Sequence, residues 1–444
     1  MSRILFATIG SLGDVHPLMA IGRELQHLGH EVTIATSDRH GDRIQEAGLR
    51  FSEIPPKFPD EKDYNRLMKR WMDPGHGSNR VIQELVIPSL RATHAKLEPL
   101  VRDADLVIIH PFVLTGAFWA EKYQKPWCAI PFAPIMFTSR FEPPVMGNFQ
   151  NPQKLQWFGT EYPLRWLFQL AKRANARIWK LFGQIRKEMG QKPIQGHPLF
   201  DFYIHQANLV IAPFSRVLGA PQDDWPRQTM QTGFAFYDGE EVEMGSTTDQ
   251  GLSEFLSRGR PPLVFSLGST GVYTAGDFYT EAWKAAVATQ QRALMLVGPD
   301  ESVKLPENTG PDCHIVRYAP HAQVFPRSSV VVHHGGVNST GQALRAGRPQ
   351  LVVPLAHDQF DNAARIFRSG CGLTLPKSEF RWKSAAERIQ RLLQESEFQR
   401  KATENADIVR SELGALGAAQ AIDQFLKQSN AEAETLLIQE AQGV

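Results

Sequence analysis

Apolar residues come in short blocks along the first 110 positions, and stretches with helical spacing separate one block from the next. Ile4 to Ile9 predicts a first strand. A loop containing Gly10 and Gly13 follows, and Leu18, Ile21, Gly22 and Leu25 then recur at the spacing of a buried helix face. Glu31 to Thr36 and Leu106 to Ile109 predict further strands. The pattern restarts at Pro261-Pro262, where Leu263 to Leu267, Ala293 to Val297, Val330 to Val332 and Gln350 to Val353 each predict a buried strand. Strands alternating with helices predict a parallel, doubly wound sheet, here one in each half of the chain. Residues 214 to 260, rich in Pro, Gly, Asp and Glu, predict a linker between the halves.

One stretch stands apart from this alternation. Leu164, Leu167, Phe168, Ala171, Ile178, Leu181, Phe182 and Ile185 fall on a single helical stripe, and nine Lys/Arg against two Glu lie between Lys154 and Lys192. Such a helix packs its stripe on a core and leaves the basic face in solvent. The same face also suits a weak contact with an anionic acceptor or a membrane surface. The whole chain has 444 residues, room for two domains. Its 48 basic and 47 acidic side chains leave a formal net charge of +1, which provides no field to draw in nucleic acid. Cys128, Cys313 and Cys371 show neither a disulfide nor a zinc spacing. The first apolar block is too short for a signal peptide, and no run reaches the ~18–20 apolar residues of a membrane span. A cytoplasmic protein is expected.

The most informative stretch is Val330 to Gly341, in which a strand leads through His333-His334-Gly335-Gly336 into Val337-Asn338-Ser339-Thr340-Gly341. Glycines let backbone approach a ligand closely, and a helix start offers unpaired N–H groups with partial positive charge. Asn338 or Ser339 is expected to cap that helix. A diphosphate is the natural ligand, with His334 adding a hydrogen bond, charged if protonated. Tyr318-Ala319-Pro320-His321 lies upstream, and Pro354 to Ala363, including His357-Asp358-Gln359, lies downstream. Together residues 318 to 372 resemble the nucleotide-sugar signature of the UDP-dependent family 1 glycosyltransferases. Gly10-Ser11-Leu12-Gly13-Asp14-Val15-His16-Pro17 resembles the acceptor-side loop of the bacterial and sterol branches, and Gln222 to Phe234 and Ala356 to Gly372 resemble rhamnolipid-forming rhamnosyltransferases.

The resemblance implies an α/β protein of the GT-B fold, two Rossmann-like domains facing a cleft. Residues 1–225 would bind acceptor and residues 226–415 donor, with a C-terminal helix, 416–444, rejoining the first domain. It further implies that Tyr318 stacks on the base and the Ala319 backbone bonds it, with His321 and Gly298 beside it. Ser269, His334, Gly336, Asn338 and Ser339 would hold the diphosphate, and Asp358 and Gln359 the sugar hydroxyls. Gln342 stands where many relatives carry Glu against the ribose, which leaves UDP and dTDP both open. Gln359 leans toward glucose and the rhamnosyltransferase-like segments toward dTDP-rhamnose, with glucose ranked first. The acceptor side would be formed by Gly13, Phe112, Phe132, Met136 and Phe137 near Trp127, an apolar set suited to a lipophilic small molecule such as a phenol, sterol or hydroxy fatty acid.

Inverting transfer needs a base for the acceptor hydroxyl and stabilisation of the departing diphosphate. Asp14 is expected to be the base or the carboxylate that activates the base, with a pKa raised by apolar surroundings, and His110 at the end of a later strand would share its proton or orient it. His16 is the rival base. Asp14 can equally be a loop carboxylate capping a helix that begins near Pro17. No metal and no bound cofactor are expected, the nucleotide sugar being a co-substrate. A sugar-nucleotide epimerase and an inactive nucleotide-sugar-binding partner protein remain the alternative readings. The two domains are expected to close on the donor through the linker.

Overall fold

The computed structural model describes residues 1–59, 61–145, 176–238 and 250–441. The first sheet contains β1 (Arg3–Ala7), β2 (Glu31–Thr36), β3 (Arg50–Glu53), β4 (Leu106–Ile109), β5 (Trp127–Ala129), β6 (Leu209–Ala212) and β7 (Thr229–Gln231), in the order β3-β2-β1-β4-β5-β6-β7. The second contains β8 (Leu263–Ser266), β9 (Ala293–Leu296), β10 (Cys313–Val316), β11 (Val330–His333), β12 (Gln350–Val352) and β13 (Gly372–Thr374), in the order β10-β9-β8-β11-β12-β13. All their ladders are parallel. Helices cover both faces of such a sheet, which is why β4, β8, β9 and β11 are buried along their whole length. The two-sheet α/β architecture expected from the alternating blocks is therefore present.

The strands are shorter than their apolar blocks. Ile9, Leu267, Val297 and Val353 are all buried yet lie past the last ladder pair, where the chain turns into the loops of the cleft. An apolar block signals burial, and burial continues after pairing ends. The linker region also holds more order than its composition suggests. β7 belongs to the first sheet, which thus runs past residue 225, and a helix spans Gln250–Ser257. Residues 239–249 of that region lie outside the described residues.

The last helix, Gly414–Ala441, returns to the first domain. Its Ala418, Ala419, Ile422 and Leu426 share one core with Val15, Leu18, Met19, Ile21 and Leu25 of the first helix, Leu12–His27. His30 Nε2 lies 3.2 Å from Asp423 Oδ1 at the edge of this contact. In the basic stretch, Ile178, Phe182 and Ile185 of the helix Ala176–Glu188 are buried, and Phe182 meets Phe118 edge-on at 5.7 Å. The stripe's earlier members, Leu164, Leu167, Phe168 and Ala171, lie outside the described residues. Cys128 and Cys371 are free and buried, and Cys313 is free and half-buried. Among the described residues, no helix is long and apolar enough to cross a membrane.

Ile422 is fully buried although it lies almost 400 residues from the helix it packs on. Ile422→Ala is expected to cost the first domain about 2–5 kcal/mol, the usual range for truncating a buried aliphatic side chain. Urea unfolding followed by circular dichroism measures it. A loss under about 1 kcal/mol would show that the returning helix is not part of that domain's core.

Candidate active site

The sheet orders reverse between β1 and β4 and between β8 and β11. In open parallel sheets the crevice outside the strand ends at such a point is where ligands bind. Asp14 follows β1 and His110 follows β4, while Ser269 follows β8 and His334 follows β11. The expected base pair and the expected diphosphate residues thus occupy the two switch points.

The first helix starts at Leu12, not near Pro17, with Ser11 as its N-cap. Ser11 Oγ accepts from the Gly13 N–H at 3.1 Å, and Asp14 Oδ2 accepts from the Ser11 N–H at 2.7 Å, so Ser11 and Asp14 form a capping box. Gly10 makes room for it: a Cβ at that position would stand 2.1 Å from Asp14 Oδ2. Asp14 is therefore a cap, and its other oxygen, Oδ1, lies 3.5 Å from His110 Nε2. His110 Nδ1 accepts from the Phe112 N–H at 3.3 Å, which leaves the ring proton on Nε2, facing the carboxylate. Burial pushes the Asp14 carboxyl up, but His110 and the Ser11 hydrogen bonds outweigh it and hold the group below the ordinary aspartate value. The expected rise toward neutrality does not occur, because the same polar neighbours that orient the carboxylate also stabilise its charge.

His16 is differently placed. Its Nε2 accepts from Arg43 Nη1 at 3.1 Å and its ring lies 5.4 Å from that of Tyr237. Burial, then Arg43 and neighbouring histidines, lower its pKa to about 3, so it is uncharged and its lone pair is engaged. Phe112 and Phe132 flank the His110 ring at 5.2 and 5.7 Å. Met136 is half-buried, whereas Phe137 is buried, stacked on Trp225 at 3.9 Å. Trp127 is likewise core, packed on Phe202. Phe137 and Trp127 were expected to line an acceptor pocket, but their apolar surface is taken up by neighbouring rings.

On the donor side, Gly335 has φ +87°, and a Cβ there would meet Val352 Cγ1 at 2.8 Å. This left-handed turn carries the chain from β11 into the helix Val337–Ala346. Gly336 is the N-cap, not Asn338 or Ser339, so the first-turn N–H groups have no side-chain cap. His334 is buried with its ring against Gly268 and Gly336, and its Nδ1 has no hydrogen-bond partner among the described residues. Burial and the neighbouring His333 and His321 lower its pKa to about 3. Any bond it makes in this state comes from a neutral imidazole, and a protonated form would require a ligand's negative charge. Ser269 is exposed after β8, Gly298 turns at φ +69°, Tyr318 keeps 59% of its surface exposed, and Ala319 is buried. His321 stacks on Phe325 at 4.3 Å, with Nε2 3.4 Å from Ser266 Oγ.

Asp358 precedes the helix Gln359–Arg368 and accepts from Asn362 Nδ2 at 2.8 Å. Burial raises its pKa to about 6. Gln359 Oε1 accepts the Leu355 and Ala356 N–H groups at 2.9 and 3.1 Å, and its amide Nε2 has no partner among the described residues. Gln342 donates to Asp238 Oδ1 at 3.3 Å and accepts from Arg345 at 2.7 Å, so an acidic side chain stands beside it. The halves meet directly: Asn338 Nδ2 donates to the Gly13 carbonyl at 3.1 Å, and Ser78 Oγ lies 2.9 Å from His357 Nδ1. Asn362, which also donates to the Gly335 carbonyl at 2.9 Å, is a site residue that sequence reasoning missed. Its i,i+4 spacing from Asp358 was the available signal. Ser78 and Asp238 carry no comparable signal.

Residues 4–97 match the family profile described as glycosyltransferase family 28 N-terminal domain, and residues 289–420 match erythromycin biosynthesis protein CIII-like, C-terminal domain. An O-mycaminosyltylonolide 6-deoxyallosyltransferase from Streptomyces fradiae is 30% identical over 386 residues, covering 83% of this chain and 84% of the relative. A sterol 3-beta-glucosyltransferase from Debaryomyces hansenii is 26% identical over 94% of this chain, which spans only 26% of that longer relative. Among solved structures, the glycotransferase of kitacinnamycin superposes with a TM-score of 0.72 at 16% identity, over 96% of this chain and 99% of the other. The glycosyltransferase VinC, solved in complex with dTDP, gives 0.65 at 16%, over 96% and 100%. With both switch points facing one cleft and relatives matched along most of its length, this chain belongs to the GT-B glycosyltransferases of family 1, enzymes that use a nucleotide sugar as donor.

Proposed function

We propose that the protein transfers a hexose, with inversion at the anomeric carbon, from UDP or dTDP to a hydroxyl of a lipophilic polycyclic or macrocyclic acceptor. The observation that carries this reading is the Asp14–His110 pair at one switch point, brought by the Asn338–Gly13 contact against the His334 turn of the other. Asp14 would take the acceptor proton as oxygen attacks the anomeric carbon and the bond to the diphosphate breaks. A carboxylate with a lowered pKa is ionised throughout the working range and so is ready to accept that proton. His334 and the N–H groups at the start of the 337–346 helix would meet the leaving diphosphate, so no divalent metal is needed.

The lipophilic acceptor is supported by Phe112 and Phe132 around His110 and by relatives named for a tylonolide and a sterol. Glucose and a 6-deoxyhexose are the sugars that those names say are transferred. The test is mass spectrometry, with proton NMR to read anomeric configuration and epimerisation, of the protein with UDP-glucose, dTDP-glucose and dTDP-6-deoxyhexoses against phenols, sterols, hydroxy fatty acids and macrolactones, with and without EDTA. A glycoside of opposite anomeric configuration, formed equally in EDTA, is expected. Sugar epimerisation without glycoside formation would sink the proposal.

Asp14→Asn is expected to cut turnover by roughly 10²-fold or more while nucleotide affinity stays unchanged. The fold should survive, since an Asn carbonyl can still accept the Ser11 N–H. His110→Ala should cost less, and the double variant little more than Asp14→Asn alone, because the ring acts through the carboxylate. Near-normal turnover in Asp14→Asn would remove it as the base.

Asp358 sets a pH dependence of opposite origin. Its raised pKa means the carboxylate forms only as pH climbs through about 6. If the ionised form binds the sugar hydroxyls, donor affinity should strengthen as pH rises from 5 to 7, and Asp358→Asn should flatten that profile. A donor affinity independent of pH in the unmodified protein would count against this role.

A further inference from the structure

The helix Gln359–Arg368 carries two charged residues that its donor-side duties do not explain. Asp361 is 0% exposed and Arg365 3%. An i,i+4 ion pair on a helix normally lies at the surface, and burying one is costly unless its remaining valences are met. Here they are met by the other domain. Asp361 Oδ2 accepts from Arg365 Nε at 2.6 Å, while Oδ1 accepts the Val145 N–H at 2.9 Å. Arg365 Nη1 reaches Glu142 Oε2 at 2.8 Å and the Leu218 carbonyl at 3.1 Å. Arg368 binds the second oxygen of Glu142 at 3.2 Å. Two guanidinium groups are thus balanced by two carboxylates, Asp361 on the same helix and Glu142 across the domain boundary. Gly219 provides the notch, since a Cβ there would stand 2.8 Å from both Arg365 Nη1 and Pro134 Cγ.

Pro134 follows Phe132, the ring beside His110. On the same helix Asn362, the residue after Asp361, ties Asp358 to the Gly335 turn. A ten-residue helix is about 15 Å long and rigid. Its first turn therefore serves both the donor loop, through Asn362, and Val145, through Asp361, while Arg365 and Arg368 further along grip Glu142 in the segment that adjoins the acceptor side.

We propose that Asp361 and Arg365 are positioning residues that hold segment 142–145 of the first domain in register with the sugar-binding end of their helix, and thereby set the affinity for acceptor. The acceptor part of this inference rests on the function proposed above. The mechanical part does not.

Arg365→Lys and Glu142→Gln test both parts, being conservative changes, the second at a half-exposed position. In the ligand-free protein, hydrogen–deuterium exchange over residues 138–145 should be at least threefold faster in either variant, with the 337–346 helix unchanged. With the acceptor that the unmodified protein glycosylates, the acceptor KM should rise at least fivefold, while the Kd for UDP or dTDP and kcat stay within twofold. Unaltered exchange at 138–145 overturns the coupling. So does a loss of nucleotide affinity that parallels the loss of acceptor affinity, since that marks general destabilisation. Failure of the unmodified protein to bind either nucleotide would instead strike the glycosyl-transfer reading, and the exchange measurement alone would then decide the coupling.

Discussion

Pro17 has no N–H to offer the Gly13 carbonyl one turn earlier in its helix, and that oxygen is taken by the Asn338 side chain of the second domain. The rest of the cleft is arranged around this junction. Asp14 stands one residue after Gly13, locked by Ser11 and directed at His110. Asn338 sits in the first turn of the helix that follows His334 and the two glycines. A single side-chain contact thus brings the carboxylate of one switch point against the anion-binding turn of the other.

The charge states inside the cleft follow from how little water reaches it. His16, His321 and His334 are each driven well below the ordinary histidine pKa, first by burial and then by neighbouring cationic or ionisable groups, Arg43 ahead of the others for His16 and His333 for the other two. Several imidazolium groups packed together would repel, and neutral rings avoid that while keeping their N–H donors. The two carboxylates diverge for the opposite reason. Asp14 has three hydrogen-bonding partners that favour its charge, whereas burial prevails at Asp358, whose side-chain partner is an uncharged amide. Two aspartates of one cleft are thereby separated in acidity by their surroundings alone.

Much of the donor half was legible in the sequence because its features are local. The Val330 to Gly341 stretch contains its own strand, turn and helix start, and each is specified by neighbours in the chain. The capping box was missed, although Ser11 followed three residues later by Asp14 was its signal, because Asp14 was expected to cap a helix beginning near Pro17. The roles of single side chains were harder to read. Gln359 spends its carbonyl on the backbone of Leu355 and Ala356, and Phe137 spends its ring on Trp225, and neither partner is fixed by the residue's own spacing.

By itself the sequence determined the alternation of buried strands and helices, the two glycine turns and the switch-point positions of Asp14 and His334, since periodicity and turn chemistry act over a few residues. Only the tertiary structure decided that Asp14 is held acidic, that His334 is neutral, that Asn338 bridges to Gly13, and that Asp361 and Arg365 are buried against Glu142 and Val145. Each of those outcomes depends on which distant groups exclude water from the site and which donate to it. Such partners lie up to 325 positions apart in the chain, and only folding brings them within hydrogen-bonding distance.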